Sequence, residues 1–146
     1  GCDGKMGQVI TGLLREDAGA QIVAGVDPFT GIANDYPVFA NIEDCDVKAD
    51  VIIDFASAKA VDALLAYSVE RQIPVVLCTT GLSEEQLEKV KAASEKVAVL
   101  KSANMSMGIN ILLKVGRPDL IWRSLKSITI RRWTLPAEQP LPWRIL

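Results

Sequence analysis

Gly1, Gly4 and Gly7, spaced as GxxGKMG at the head of a helical stretch, are the residues of this chain best suited to hold a phosphate. A glycine-rich turn lets backbone N–H groups approach a pyrophosphate, and the helix N-terminus favours its negative charge. The same glycines would also serve a tight turn packed close against its helix. Asp27 follows Gly4 by 23 residues, at the end of the next apolar run. In a dinucleotide fold a carboxylate at that place accepts hydrogen bonds from ribose hydroxyls. Two further polar groups follow apolar runs: Cys78-Thr79-Thr80-Gly81 and Ser102-Ala103-Asn104-Met105. Ligands of open α/β sheets bind at such strand ends. Taken singly, each group reads equally as a loop capping the helix after it. Asp54 reads as a loop anchor, Ser57 as a helix N-cap, and Cys78 as packing, because no cation neighbours it in sequence.

The elements that must position these residues alternate regularly. Met6, Val9, Ile10, Leu13 and Leu14 recur at helical spacing over 5–16. Gln21–Val26 is a short apolar strand closed by Asp27-Pro28, and 28–47 is turn-rich. Val51–Phe55 and Pro74–Leu77 are continuous apolar strands, the pattern of a sheet covered on both faces. Between them, 58–71 returns to helical period with Ala58, Val61, Leu65 and Val69 on one face. Ser83-Glu84-Glu85-Gln86 has capping-box form, and its helix should carry Leu87 and Val90 inward and a Glu85–Lys89 pair outward. Val97–Leu100 is a further strand, and 106–115 has helical character. Strands alternating with helices imply an α/β fold: a Rossmann-like, doubly wound parallel sheet. No strand precedes the glycine turn. The first strand, central in such a sheet, is therefore expected to be lacking, and its neighbours to present unpaired edges.

Composition sets limits on the chemistry. The 146 residues include no histidine, which excludes Ser-His-Asp and Cys-His nucleophiles. Three cysteines, without a CxxC pair, argue for reduced intracellular thiols, with no disulfide framework and no metal site. No apolar run approaches a membrane span, and Gly1-Cys2-Asp3-Gly4 is not a signal peptide; the chain reads as beginning inside a motif. The net charge of −2 conceals an asymmetry. Residues 1–115 carry 10 Lys/Arg against 16 Asp/Glu, a balance of −6, and residues 116–146 carry 6 against 2, a balance of +4. All three tryptophans, five of seven arginines and four of seven prolines lie after residue 115. The chain therefore divides into 1–115, a dinucleotide-binding domain incomplete at its N-terminus, and 116–146, an aberrant and irregular tail.

GxxGKMG, DVIIDF, PVVLCTTGLSEEQL and SANMSMGIN, in this order and spacing, resemble the 4-hydroxy-tetrahydrodipicolinate reductase family, also called dihydrodipicolinate reductase. The resemblance covers residues 1–115. It implies an oxidoreductase of lysine (diaminopimelate) biosynthesis that reduces its small-molecule substrate with NADH or NADPH in the cytoplasm. It further implies that Gly1, Cys2, Asp3, Gly4, Lys5 and Met6 hold the pyrophosphate and Asp27 the adenosine ribose. Cys78, Thr79 and Thr80, with Ser102, Ala103, Asn104 and Met105, would line the nicotinamide. Many members have Gly where Cys78 stands and an aromatic where Met105 stands. The acidic Asp27 favours NADH, while Lys5 could meet the 2′-phosphate of NADPH.

The family continues into a second domain carrying E-K/R-H-H-x-x-K-x-D-A-P-S-G-T, with a His as acid/base, a Lys as proton donor and S-G-T on the substrate carboxylate. That domain also builds the family's homotetramer. None of the motif is present here, so no catalytic residue is assigned. Yet the codons of the tail permit it one base out of frame. Trp133 before Thr134 forces GAC, an Asp, and the junctions from Thr134 to Gln139 permit A-P-S-G-T. Ser127–Ile128 and Ile128–Thr129 each permit His, and Arg131–Arg132 permits Lys. Residues from about 116 are thus read as a frameshifted remnant of the catalytic segment. On this reading the chain retains at most cofactor binding, lacks turnover, and does not assemble the tetramer. The Trp/Arg/Pro richness becomes a by-product of frame rather than a nucleic-acid or membrane contact. Two alternatives stay open: a non-catalytic dinucleotide-binding module with a genuine tail, and an interaction protein using that basic tail.

Overall fold

The computed structural model describes residues 1–29, 31–102 and 143–146. The helical spacing after the glycine turn yields α1 (Lys5–Arg15). The next apolar run splits into β1 (Ala20–Ile22) and β2 (Gly25–Val26). The expected turn-rich stretch holds β3 (Val38–Phe39) and a 3-10 turn, Ile42–Asp44. Then follow β4 (Ile52–Asp54), a 3-10 turn (Ala58–Ala60), α2 (Val61–Arg71), β5 (Val75–Leu77), α3 (Glu84–Ser94), β6 (Val99–Lys101) and β7 (Trp143–Ile145). The helix expected over 106–115 lies outside the described residues.

Among the described residues every strand pair is parallel: β2 with β3, β1 with β7, and β5 with both β4 and β6. Val51, at the head of β4, bridges Ile145 of β7. The chain thus forms parallel sheets with helices, the α/β Rossmann-like arrangement that the alternation implied. One feature departs from expectation. The edges between β1 and β4 are not left open, because β7 lies between them. The end of the tail is therefore a strand rather than irregular. Backbone pairing explains this, since N–H and C=O groups bond whatever side chains they carry.

The core gathers where α2 and α3 cover β4–β6. Val61, Val75 and Leu77 are fully buried there, with Leu64, Leu65, Val90 and Val99 beside them. Burying such side chains contributes about 1.5–3 kcal/mol each relative to exposure. Ser83 caps α3: its hydroxyl accepts the Gln86 N–H at 3.2 Å, and Gln86 Oε1 accepts the Ser83 N–H at 3.2 Å. Lys89 pairs with Glu85 as expected, at 2.9 Å, and also with Asp62 of α2 at 2.9 Å, fastening the two helices. Leu87, on the same face as Val90 one turn on, is less covered than expected: it is 41% exposed, whereas Val90 is buried.

Candidate functional site

The glycine turn and Asp27 form one unit. Gly4 is the N-cap of α1 with extended backbone, and no side chain caps the helix. The first-turn N–H groups are therefore placed to meet an anion. Gly4 itself donates to Gly1 O at 3.2 Å, closing the turn. Gly7 is required by proximity: a Cβ there would stand 2.3 Å from Cys2 O. Lys5 and Met6 occupy the exposed first turn of α1.

Asp27 stands at the end of β2, only 6% exposed. Its Oδ2 accepts the Asp3 N–H at 3.1 Å and its Oδ1 accepts the Phe29 N–H at 2.9 Å. Cys2 N–H donates to Val26 O at 3.3 Å, and the Gly1 amino group donates to the same oxygen, so Gly1, Cys2 and Asp3 each tie the turn to the strand end. The Asp3 carboxylate accepts Asn34 Nδ2 at 2.7 Å. Burial pushes the Asp3 pKa up, but the hydrogen bonds from Asn34 and the Ile32 N–H outweigh it and hold the group below its ordinary value. Beside it, burial and then the charge of Asp3 push the Cys2 thiol up to about 11.

Gly1, Cys2, Gly7 and Asp27 line a cavity of about 610 Å³ together with Phe29, Ala56 and Ser57, whereas Asp3, Gly4, Lys5 and Met6 stand outside its lining. Gly1 lies against the loop after β4, where its Cβ would come within 3.3 Å of Ala56. The uncapped helix start, the glycine approach and the carboxylate at the strand end suit a dinucleotide pyrophosphate and ribose.

A second cluster lies along the ends of β4 and β5. Asp54, 8% exposed, accepts the Ala56 N–H at 3.2 Å and the Thr79 hydroxyl at 2.5 Å. Cys78 N–H donates to Asp54 O at 2.9 Å. Burial, then the Asp54 charge, raises the Cys78 thiol pKa, so this sulfur is kept neutral as packing would require. Gly81 takes φ 73°, the left-handed region, to turn the loop away. Ser102 follows β6, its N–H on Leu77 O at 3.0 Å.

The expected residues are thus partly brought together. Gly1, Cys2 and Asp27 line one cavity; Asp3, Gly4, Lys5, Met6, Cys78, Thr79 and Thr80 do not line it. Asp54 joins the groups, since it lines that cavity and holds Thr79. Ala103, Asn104 and Met105 lie outside the described residues. Ser57 sits at the N-cap of the 3-10 turn, as its sequence suggested, but its side chain makes no cap bond. Sequence reasoning passed over Asn34 and Tyr36. Asn34 anchors Asp3, and Tyr36 OH lies 2.8 Å from the Thr11 hydroxyl. Both contacts span more than twenty residues, so no local pattern marks them.

Among the described residues, no helix is long and apolar enough to cross a membrane.

Residues 1–105 match the family model described as dihydrodipicolinate reductase, N-terminus. The chain is 51% identical over 112 residues to a 4-hydroxy-tetrahydrodipicolinate reductase of Clostridium novyi (strain NT), covering 77% of this chain and 44% of that protein. It is 44% identical over 115 residues to the enzyme of the same name from Caldanaerobacter subterraneus subsp. tengcongensis, covering 79% and 45%. The chain therefore spans less than half the length of these relatives. A solved dipicolinate-bound dihydrodipicolinate reductase from Paenisporosarcina sp. TG-14 shares the fold, with TM-score 0.68 at 18% identity, over 100% of this chain and 76% of that one.

Proposed function

The chain belongs to the dihydrodipicolinate reductase family through its N-terminal domain, and from that premise we propose that it is the cofactor-binding part of an NAD(P)H-dependent reductase acting on 4-hydroxy-tetrahydrodipicolinate in lysine biosynthesis. Bound NAD(P)H would supply the hydride. The residues of this chain would hold and orient it. The α1 N-terminus, with Gly1, Cys2, Asp3, Gly4, Lys5 and Met6, would face the pyrophosphate. Asp27 would accept the ribose hydroxyls. Cys78, Thr79 and Thr80, with Ser102, Ala103, Asn104 and Met105, would border the nicotinamide.

The observation that carries this reading is the tie between the glycine turn and Asp27. The Asp3 N–H on Asp27 Oδ2, at 3.1 Å, fixes the carboxylate beside an uncapped helix start. Ribose binding would ask Asp27 to share an oxygen it already uses, which is within reach of a carboxylate with two acceptor oxygens. An acidic group there favours a free 2′-hydroxyl, hence NADH over NADPH.

Turnover is a separate matter. The 146 residues include no histidine, so the family's acid/base is not among them. Loss of general acid/base chemistry alone costs about 10²–10⁴-fold. Residues 116–146 are read as a frameshifted remnant of the catalytic segment, supported by the forced Asp at Trp133–Thr134 and the permitted motif around it. As a biosynthetic protein it is assigned to the cytoplasm, with neither nucleic acid nor membrane as partner.

Parallel calorimetric titrations with NADH and NADPH, joined to an assay of NADH consumption with substrate, test this reading. The expected result is saturable binding, tighter for NADH, with no consumption. Absence of binding at millimolar cofactor refutes the cofactor assignment, and steady consumption refutes the inactive one. Sequencing the coding DNA over residues 116–146 tests the frame: HHNQK-like codons followed by DAPSGT are expected one base on, and any other reading makes the tail genuine.

A further inference from the structure

β7 sits between two parts of the sheet that no other described strand joins. On one side it runs parallel to β1, in register from Ala20↔Trp143 to Ile22↔Ile145. Val23 N–H, just beyond β1, donates to Ile145 O at 2.9 Å. On the other side Asp50 and Val51 donate to Arg144 O at 2.8 and 3.3 Å. Leu146 donates to Val51 O at 3.0 Å and accepts from Ile53 at 2.9 Å. Ile145 and Leu146 are buried. Arg144 grips the Asp50 carboxylate through Nε at 3.2 Å and Nη2 at 2.8 Å.

The position matters for the site. β1 continues through β2 to Asp27, and β4 ends in Asp54. Among the described residues the strand hydrogen bonds that relate these two carboxylates pass through Trp143–Leu146. Ile145 and Leu146 also line the cavity shared by Gly1, Asp27 and Asp54.

We propose that Trp143–Leu146 is the keystone strand of the nucleotide-binding sheet: it joins the Asp27 half to the Asp54 half, and dinucleotide binding by this chain depends on it. The dependence rests on the cofactor reading above; the seat of the strand does not. The device needs little from the sequence. Ladder bonds are made by backbone, and the two buried positions, one on each face of the strand, need only be apolar, which Ile145 and Leu146 satisfy. A segment read as out of frame can therefore fill a central strand position.

Hydrogen exchange on the full chain tests the seat of the strand. The amides of Val23, Asp50, Val51 and Ile53 donate to β7, whereas Ile52 and Val75 donate to Pro74 O and Ala98 O, within the β4–β6 sheet. In the unmodified chain the first four should exchange at least ~100-fold more slowly than in the denatured chain. Ile145→Pro cannot continue a central strand. It should release those four amides, leave Ile52 and Val75 protected, and weaken NADH binding at least ~10-fold if the two halves separate. Should the proline variant unfold throughout, Arg144→Ala replaces it, with faster exchange expected at Asp50 and Val51 alone. Unprotected amides at the four positions in the unmodified chain overturn the proposal. So does an Ile145→Pro variant that loses their protection yet binds NADH as the unmodified chain does. Protection as expected in a chain that does not bind NADH at all removes the cofactor reading and the dependence, and upholds the strand's seat.

Discussion

Thr79 donates its hydroxyl to Asp54 across 2.5 Å, and both side chains are buried. This bond ties the loop after β5 to the loop after β4, and Asp54 also accepts the Ala56 N–H on the cavity wall. The loops after β4 and β5 are thus held by one carboxylate. Thr79→Val preserves shape but leaves an Asp54 oxygen without this donor. A buried acceptor left unsatisfied costs about 1–3 kcal/mol, more for a charged one. The expected urea midpoint falls accordingly, and Thr79→Ser, which keeps the hydroxyl, should recover most of the loss.

Asp27 holds the glycine turn through the Asp3 and Phe29 N–H groups. Asp27→Asn keeps the shape and one acceptor oxygen. It should lower stability by about 1 kcal/mol, the scale of one hydrogen bond. If Asp27 also reads the ribose, the same change reduces the preference for NADH over NADPH. Paired titrations with the two cofactors measure this; an unchanged ratio removes Asp27 from the ribose.

Gly7 lies where α1 passes Cys2, and any Cβ would stand 2.3 Å from that carbonyl oxygen. Gly7→Ala gains helix propensity but must displace backbone. Overpacking of this kind costs about 1–3 kcal/mol, more than the ~1 kcal/mol that propensity returns. Net destabilisation by thermal unfolding is expected, with weaker cofactor binding. Gly12→Ala, where nothing stands within 4 Å, is the control and should be neutral or stabilising.

How much of this was legible in the sequence depends on the range of the interaction. α1, α2 and the Ser83–Gln86 capping box follow from patterns within a few residues, and the structure has them. β3 spans two residues and carries no periodicity, so 28–47 read only as turns. Leu87 fitted the helical pattern but stays 41% exposed, because periodicity gives a residue's face and not how far neighbouring elements cover it. The Asp3–Asp27 and Asp54–Thr79 bonds span 24 and 25 residues and left no local mark. β7 was the least legible, since its placement depends on backbone partners in β1 and β4 rather than on its own side chains.

Cys2 offers a pH readout. Its thiol pKa, raised to about 11 by burial and Asp3, means the folded chain keeps the proton where an unfolded chain would lose it near 9.0. The contribution to stability is complete below about pH 9 and is lost as pH rises toward about 11. Iodoacetamide labelling of Cys2 in the folded chain should be slow at pH 8 and rise only above pH 9. Rapid labelling at pH 8 would contradict the burial assigned to this thiol.

The most direct test of the account is an amide-resolved NMR titration of the chain with NADH. Saturable shifts are expected at Gly4, Lys5 and Met6 at the start of α1, at Phe29 beside Asp27, and at Thr79 and Thr80. That pattern would place the cofactor across the glycine turn and the strand ends, as the family membership suggests. Amides that stay unmoved at millimolar NADH, or shifts confined to surfaces away from α1 and Asp27, would contradict it.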